Sequence, residues 1–322
     1  MWLIFNAQAS IKKFPGDKSK VLNDLLLAKT IFHFYPGEVI AIVEILLLVF
    51  FIVVNIVDMN RFVVRKVKIK TAKKIGKKSV KFVLLSDLHS KEFDKGNKKL
   101  LKAIRQCEPD FIVIAGDMLT ATSRKNNSPA VSFVNELTKD YKVYFGLGNH
   151  EYRAKIYPET YAGMYDDFMQ KIQSGNLTVL DNDRVTVGDL QIIGLSIEKE
   201  YYKKFKRIHM NPEHVPELIG MPDPDKYSIL IAHNPQYGEA YFEYPADLFV
   251  SGHFHGCLIR LPFIGGIISP AFRLFPKYNG GLYQKNGRYG YVSCGIGSHT
   301  LPIRFYNPGE VTEITIEGTG EN

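Results

Sequence analysis

The chain has 322 residues, of which 45% are hydrophobic and 23% charged, so it can bury a large core and is not a disordered protein. Its formal net charge is +8, but the ten bases from Arg61 to Lys81, which have no acid among them, account for more than this excess. The nearly neutral remainder argues against a nucleic-acid-binding protein. Three widely spaced cysteines, Cys107, Cys257 and Cys294, exclude a disulfide framework and a thiolate zinc site.

The N-terminal part of the chain is predicted to attach it to a membrane. Residues 39–57 form a run of 19 residues that is apolar except for one acid and one amide. This length is close to the roughly 20 residues that cross a bilayer. A helix in the core of a soluble protein would keep a polar face. In the preceding segment, 1–38, residues 21–34 have the spacing of an amphipathic helix. Residues 58–79 are predicted to be a basic juxtamembrane linker that contacts anionic lipids. Because basic flanks stay in the cytoplasm, we expect the rest of the chain there.

From residue 80 onward, short apolar strands alternate with helices. The segments SVKFVLLSD, DFIVIAGD and KVYFGLGNHE have the apolar, β-branched character of buried strands, and Leu100 to Cys107 has that of a helix. Gly188-Asp189 is typical of a hairpin turn. The segments YVSCGIG and EVTEITIE are predicted to be late strands of a second sheet. This rhythm predicts an α/β layered domain over residues 80–318.

Polar side chains directly follow five of the predicted strands, where open α/β sheets present their binding loops. The five motifs are Asp87-Leu88-His89, Gly116-Asp117, Gly148-Asn149-His150-Glu151, His233-Asn234 and Gly252-His253-Phe254-His255. Side chains two residues apart at a strand end point the same way. The pair Asp87 and His89 can therefore bind a metal ion, and so can the pair His253 and His255. A lone aspartate or histidine usually serves a turn or the core, but five of the nine histidines lie in these motifs. Oxygen and imidazole donors without thiolate suit Mn, Fe or Zn.

As a set and in their order, these motifs resemble those of the calcineurin-like metallophosphoesterase superfamily. The stretches LLSDLHS, LGNHE and GIGSHTLPIRFYNPGEV are similar to those of its membrane-anchored bacterial members, the YkuE/YaeI-like phosphoesterase group. The resemblance implies a four-layer α/β/β/α sandwich of two mixed sheets, here preceded by one transmembrane helix, and two divalent metal ions. It implies that one metal is held by Asp87, His89 and His255, the other by Asn149, His233 and His253, and that Asp117 bridges them.

This metal set implies a hydrolase of phosphate esters. A hydroxide that bridges the metals would attack phosphorus. His150 follows the ligand Asn149 and is predicted to be the general acid for the leaving oxygen. Glu151 has two equally plausible roles: it orients His150 by a hydrogen bond, or it is an acid at a helix start.

The expected substrate is a phosphodiester or pyrophosphate that is lipid-linked or a nucleotide sugar, because some members of the resembled group hydrolyse UDP-2,3-diacylglucosamine. The chain departs from that group at Gly256-Cys257-Leu258, where relatives commonly have Gly-Gln, so a polar group near the substrate is missing. A phosphomonoesterase, including a phosphoprotein phosphatase, remains an open alternative. A metal-bound scaffold without activity is a further one, although every ligand position is filled.

An apolar segment follows the last metal-binding motif. Residues 258–275 are either a core loop or short hairpin, or a hydrophobic rim that meets the bilayer or an acyl chain. In the second case Arg260 and Arg273 would contact phosphate or lipid headgroups. An anchor and a rim together would hold the site near lipid substrates.

Overall fold

The computed structural model describes residues 36–122, 125–203, 208–298 and 301–318. The predicted amphipathic helix at residues 21–34 lies outside the described residues. The part of the chain that the structure describes divides into two units between Ile52 and Val53.

Helix α1 spans Pro36–Met59 and contains the whole predicted membrane span, 39–57. Its 24 residues correspond to a length of about 36 Å, which exceeds the roughly 30 Å of a bilayer's hydrocarbon core. From Glu38 to Met59 it is long and apolar enough to cross a membrane, and its large apolar side chains are exposed. The helix is therefore a candidate membrane anchor.

The first sheet is mixed and has six strands in the order β1-β14-β2-β3-β4-β5. Its strands are β1 (Phe62–Thr71), β2 (Ser79–Leu85), β3 (Phe111–Ala115), β4 (Val143–Gly146), β5 (Leu177–Leu180) and β14 (Gly309–Gly318). Strands β2 to β5 run parallel, and β14 is antiparallel to β2 but parallel to β1. The parallel strands therefore end on one edge of the sheet. The expectation that EVTEITIE belongs to a second sheet is wrong, because this segment forms β14 of the first sheet.

The second sheet is also mixed, with the strand order β12-β13-β9-β8-β7-β6. Its strands are β6 (Asp183–Val187), β7 (Leu190–Leu195), β8 (Tyr227–Ala232), β9 (Leu248–Ser251), β12 (Gly281–Lys285) and β13 (Arg288–Val292). Strands β7, β8, β9 and β13 are parallel, and hairpin partners flank them on both sides. A separate short hairpin joins β10 (Ile259–Leu261) to β11 (Gly265–Ile268).

Alternation along the strands produces the layers. In β2, Val83 packs with helices on the outer face of the first sheet, whereas Phe82 packs against the second sheet, because successive side chains point to opposite faces. In β8, Ile229 faces the first sheet and Leu230 faces outer helices. The remaining helices are α2 (Lys98–Gln106), α3 (Ser128–Asp140), α4 (Asn149–Ile156), α5 (Pro158–Tyr161), α6 (Met164–Ile172), α7 (His214–Ile219) and α8 (Gly238–Glu243). The predicted α/β/β/α sandwich of two mixed sheets is confirmed.

The basic stretch that the sequence assigns to a linker, residues 58–79, contains an edge strand instead. Strand β1 pairs in parallel with β14 along its whole length, and its Ile69 is buried in the core between the sheets. The sequence FVVRKVKIKT alternates apolar and basic residues with the period of a strand, and the bases face solvent. Lys66 and Lys68 pair with acids of β14 at 3.1 and 3.0 Å. The folded unit thus begins before residue 80.

Candidate metal centre

The predicted ligand side chains meet where the two sheets come together at their strand ends. Asp87 and His89 follow β2, Asp117 follows β3 and Asn149 follows β4, all in the first sheet. From the second sheet, His233 follows β8, and His253 and His255 follow β9. The backbone N–H of His253 donates to both Asp87 carboxylate oxygens at 3.0 and 3.1 Å, which joins the two sheets at this point.

Three groups of side chains have donor atoms that all lie within 4.8 Å of one another. They are Asp87 with His89 and His255, His89 with Asp117 and His150, and Asp117 with His233 and His253. His255 Nε2 lies 3.6 Å from Asp87 Oδ1, and His233 Nε2 lies 3.1 Å from Asp117 Oδ2. His89 Nε2 is between them, 4.0 Å from Asp87 Oδ1 and 3.7 Å from Asp117 Oδ2. These spacings suit side chains that share small cations.

The orientation of two imidazoles shows that this donor set fits a cation. His233 Nδ1 donates to the Ala115 carbonyl at 2.6 Å, and His255 Nδ1 donates to the Gly297 carbonyl at 2.9 Å, because a carbonyl can only accept. In the neutral rings, each Nε2 lone pair then faces carboxylate oxygens, which is unfavourable unless a cation lies between them. Asn149 Oδ1 is also buried and accepts no hydrogen bond from the part of the chain that the structure describes.

The electrostatics of the site favour positive charge. Burial opposes ionisation of Asp117, but His233 and His150 outweigh it and hold the pKa of this carboxyl well below its usual range. Burial likewise opposes protonation of His233, but Asp117 and Asp87 raise the pKa of this imidazole to about 10. Buried carboxylates that draw protons onto neighbouring histidines can draw divalent cations in their place.

The backbone around the ligands is held in a conformation that few side chains tolerate. Five ligand residues have φ between 49° and 67°, the left-handed region, namely Asp87, His89, Asp117, His253 and His255. Such residues cost about 1–3 kcal/mol each and persist where the surrounding structure requires them. The glycines beside the ligands leave no room for a side chain. A Cβ on Gly252 would lie 2.3 Å from Asp87 Oδ2, and one on Gly148 would lie 2.2 Å from Asp117 Oδ1.

The calcineurin-like phosphoesterase family model matches residues 80–257, which is more than half of the chain and includes the seven predicted ligand positions. The chain belongs to this family. It is 27% identical to the uncharacterized metallophosphoesterase YkuE of Bacillus subtilis over 74% of the chain and 79% of that protein. It is 24% identical to the UDP-2,3-diacylglucosamine pyrophosphatase LpxG of Chlamydia muridarum, over 72% of the chain and 82% of LpxG.

A bovine relative is described as a transmembrane protein with a metallophosphoesterase domain, and it is 26% identical over 74% of the chain. The chain spans 53% of that protein and 60% of three further bacterial metallophosphoesterases that it matches. The family and the ligand cluster together identify the protein as a metal-dependent hydrolase of phosphate esters. The family and the clustered histidines and aspartates indicate that the domain binds divalent metal.

Glu151 of the phosphoesterase contacts the backbone of the loops that carry the predicted ligands. Its buried carboxylate accepts hydrogen bonds from the N–H groups of Asp117 at 2.8 Å, Gly148 at 3.0 Å and Leu119 at 3.1 Å. It lies in the first turn of α4, which accounts for the Gly148 bond as a helix cap. Burial and the Asp117 charge raise the pKa of Glu151 to about 7. Glu151 is therefore a positioning residue for the two loops that carry Asp117 and Asn149.

His150 is buried beside the ligands and lines the cleft above them. Its Nδ1 accepts a hydrogen bond from the Ala121 N–H at 2.9 Å. The neutral ring therefore carries its proton on Nε2. Burial, the largest influence, lowers the pKa of His150 to about 4 in spite of the Asp117 charge.

A cleft of about 420 Å³ opens in front of the metal centre. Four cationic side chains line it, from Lys125, Arg153, Lys203 and Arg273, and no acidic side chain is among its described lining residues. Tyr202, whose ring lies 5.5 Å from that of His253, adds an aromatic wall. The other predicted arginine of the apolar segment, Arg260, instead donates to the carbonyl of Asn279 at 2.9 Å and supports the local loops.

Two residues that support the site were not singled out from the sequence, although both lie in the stretch GIGSHTLPIRFYNPGEV. Arg304 is buried and donates to five carbonyl groups, including that of Gly297, which also accepts from the His255 ring. Asn307 Nδ2 donates to the carbonyls of His255 and Cys257, both at 2.6 Å. No local sequence pattern around Arg304 or Asn307 indicates that these residues bind such distant partners.

Proposed function

We propose that this phosphoesterase is a dinuclear phosphodiesterase or pyrophosphatase that acts on a lipid-linked or nucleotide-sugar substrate at a membrane. One metal ion is held by Asp87, His89 and His255 and the other by Asn149, His233 and His253, with Asp117 between them. Two of the three donor groups, Asp87 with His89 and His255 and Asp117 with His233 and His253, support this division. Mn, Fe or Zn suits the oxygen and nitrogen donors. When bound, the ions polarise the phosphoryl group and supply a water nucleophile at neutral pH.

His150 acts in this proposal as the donor to the leaving-group oxygen. His150 lines the cleft with Asn149, and the Ala121 N–H holds the ring with its proton on Nε2. Glu151 acts through the backbone, by keeping Asp117 and Asn149 in place. A donor placed at the leaving oxygen stabilises the charge that develops there as the ester bond breaks.

The observation that carries the diesterase proposal is the cationic lining of the cleft. A monoester needs only the metal centre for its single phosphate, whereas four bases without an acid suit a second anionic group next to the reacting one. In this proposal Arg153 and Arg273, which line the cleft, bind the second phosphate of a pyrophosphate. The naming of the relative LpxG as a UDP-2,3-diacylglucosamine pyrophosphatase supports the same substrate class.

The membrane location rests on α1 and on its flank. The helix has the length and composition of a membrane span, and the bovine relative is named a transmembrane protein. The bases of β1 begin six residues after the end of α1, at Arg65, and the positive-inside rule then puts the catalytic domain in the cytoplasm.

Hydrolysis by the full-length protein in detergent with Mn tests the proposal. We expect bis-p-nitrophenyl phosphate and a UDP-linked diacyl sugar to be turned over with at least about tenfold higher kcat/KM than p-nitrophenyl phosphate. Asp117→Ala should reduce turnover by more than about 100-fold, since it removes a direct ligand. A higher kcat/KM for the monoester would favour the phosphomonoesterase alternative, and no turnover in any condition would favour a scaffold.

The second-phosphate role has its own matched test. Arg273→Met should lower kcat/KM for the pyrophosphate substrate about tenfold or more and leave the monoester unchanged, because only the former has a group for Arg273 to bind. Arg105→Met, at an exposed surface arginine paired with Asp140, is the control. An equal loss on both substrates would show that Arg273 does not select for a second anion.

A further inference from the structure

Six large apolar side chains are exposed on three segments beside the cleft, and we name these segments the apolar loops. They are the β10–β11 hairpin tip with Phe263 and Ile264, the following loop with Phe272, Leu274 and Phe275, and the turn at Tyr306. Phe263 is fully exposed and the other five are 45–67% exposed. Residues 258–276 contain two arginines and no acid. Of the two possibilities for this segment, the hairpin is present, but its tip points away from the core.

The three segments form one continuous surface because hydrogen bonds join them. Phe275 N–H donates to the Ile267 carbonyl at 2.7 Å, which ties the loop to the hairpin. Arg260 N–H donates to the Phe305 carbonyl at 3.0 Å, which ties the hairpin to the turn before Tyr306. The surface also borders the cleft, since Pro270, Ala271 and Arg273 of the loop line it.

The backbone holds the aromatic residues of this surface in the left-handed region. Phe263, Phe272, Phe275 and Tyr306 have φ of 66°, 58°, 46° and 53°. A bulky side chain at positive φ is uncommon and unfavourable. Strained residues persist where the surrounding structure holds them and cluster at functional segments, so this conformation in exposed aromatic residues points to a function.

The end of α1 lies against the same surface. Asn55 Nδ2 donates to the Pro302 carbonyl at 3.1 Å, and Asn55 Oδ1 accepts from the Arg304 N–H at 2.7 Å. Asp58 Oδ2 accepts from the Asn307 N–H at 2.8 Å. The turn that carries Tyr306 is therefore bound directly to the last two turns of the candidate membrane span. An apolar surface without acids, placed next to the point where the chain leaves a bilayer, matches an anionic lipid surface better than a soluble partner.

We propose that the apolar loops insert into the headgroup region of the membrane that α1 spans, so that the cleft opens onto the lipid surface. This inference rests on the membrane location and lipid-linked substrate proposed above. The loops would let a lipid-linked phosphate ester reach the metal centre while its acyl chains stay in the bilayer. Arg273, which lies in the apolar loops and also lines the cleft, would meet the phosphate at the boundary.

Tryptophan quenching by bromine-labelled lipids tests the insertion without reference to catalysis. The only tryptophan is Trp2, so a Trp2→Phe background allows one probe at a time. Full-length Phe263→Trp and Phe275→Trp variants in nanodiscs that contain anionic lipid should lose at least half of their fluorescence when the acyl chains carry bromine. The control is Met221→Trp, which is 61% exposed and lies beside β6, at the opposite edge of the second sheet from β12 and the apolar loops. Equal quenching at all three positions would overturn the proposal.

A paired activity measurement separates this inference from the proposed function. Phe263→Ser with Ile264→Ser should lower kcat/KM for a lipid-linked pyrophosphate in bilayers about tenfold, and leave turnover of soluble bis-p-nitrophenyl phosphate unchanged. The inference would be overturned if this variant turned over both substrates as the wild type does. It would also be overturned if the tryptophan probes were not quenched and the protein formed dimers through these loops. If the wild-type protein hydrolysed neither substrate, the proposed function would fail, while the quenching result would still decide whether the loops insert.

Discussion

Replacing Arg304 by methionine should weaken both the fold and the metal centre. Arg304 Nη1 donates to the carbonyls of Asn307 and Pro308 at 3.2 Å, and Nη2 donates to those of Cys294 and Gly295 at 3.1 Å and to that of Gly297. The buried guanidinium of Arg304 therefore joins two loop segments, residues 294–297 and 307–308.

The size of the effect follows from these five bonds. Hydrogen bonds to a charged donor contribute about 1.5–3 kcal/mol each, but desolvation of the guanidinium offsets much of their sum. Removing one member of such a buried network costs about 3–5 kcal/mol of unfolding free energy. For a domain of this size that lowers Tm by about 10 °C. Since the Gly297 carbonyl also orients the His255 ring, we expect Mn affinity to fall about 10- to 100-fold.

Thermal unfolding and Mn titration of the full-length protein in detergent measure the two effects. Arg105→Met is the matched control, because Arg105 pairs with Asp140 at an exposed position where both side chains are more than 40% accessible. Its loss should change stability by less than about 1 kcal/mol and leave Mn affinity unchanged. A Tm decrease below about 3 °C for Arg304→Met with wild-type Mn affinity would refute the reasoning.

Three further predictions concern the ligand loops. Gly252→Ala should abolish Mn binding and activity while circular dichroism stays native, because the new Cβ would lie 2.3 Å from Asp87 Oδ2. The control Gly175→Ala, whose new Cβ would lie in open space, should change neither Mn binding nor activity. Mn binding by Gly252→Ala would contradict the close approach. Glu151→Gln should lower the free energy of unfolding by about 2 kcal/mol and the Mn affinity about tenfold, because the new amide NH₂ must face a backbone N–H. Wild-type Mn affinity in this variant would show that Glu151 does not position the metal ligands. Chelation by EDTA should abolish hydrolysis, and excess Mn should restore it in the wild type but not in Asp117→Ala. Activity that resists EDTA would contradict metal dependence.

The motifs of the site were readable from the sequence because each is local. Asp87 and His89, or His253 and His255, lie on single loops directly after apolar strands, and the strand pattern places such loops at one sheet edge. The fold class followed from the same alternation and was confirmed. The apolar run of α1 was equally plain, since hydrophobicity over some 20 residues needs no tertiary information.

The contacts between distant segments were decided only by the tertiary structure. The sequence reads residues 58–79 as a basic linker, but β1 pairs with β14 from the other end of the chain, and that pairing turns its bases outward and buries Ile69. Glu151 was assigned a local role, yet it accepts from Asp117 and Leu119 more than 30 residues away. Such partners depend on how the sheets bring loops together, which no window of sequence contains.

The apolar segment after His255 shows the same division. Its hydrophobicity was visible in the sequence, but hydrophobicity alone does not distinguish a buried loop from an exposed one. The fold decides this, because the space between the sheets is already filled by residues such as Ile229 and Val250, and Phe263 is left at the surface. The sequence by itself thus determined the chemistry of the site and the presence of an apolar helix. The packing of distant segments determined which side chains support the predicted metal ligands and which apolar side chains are left exposed.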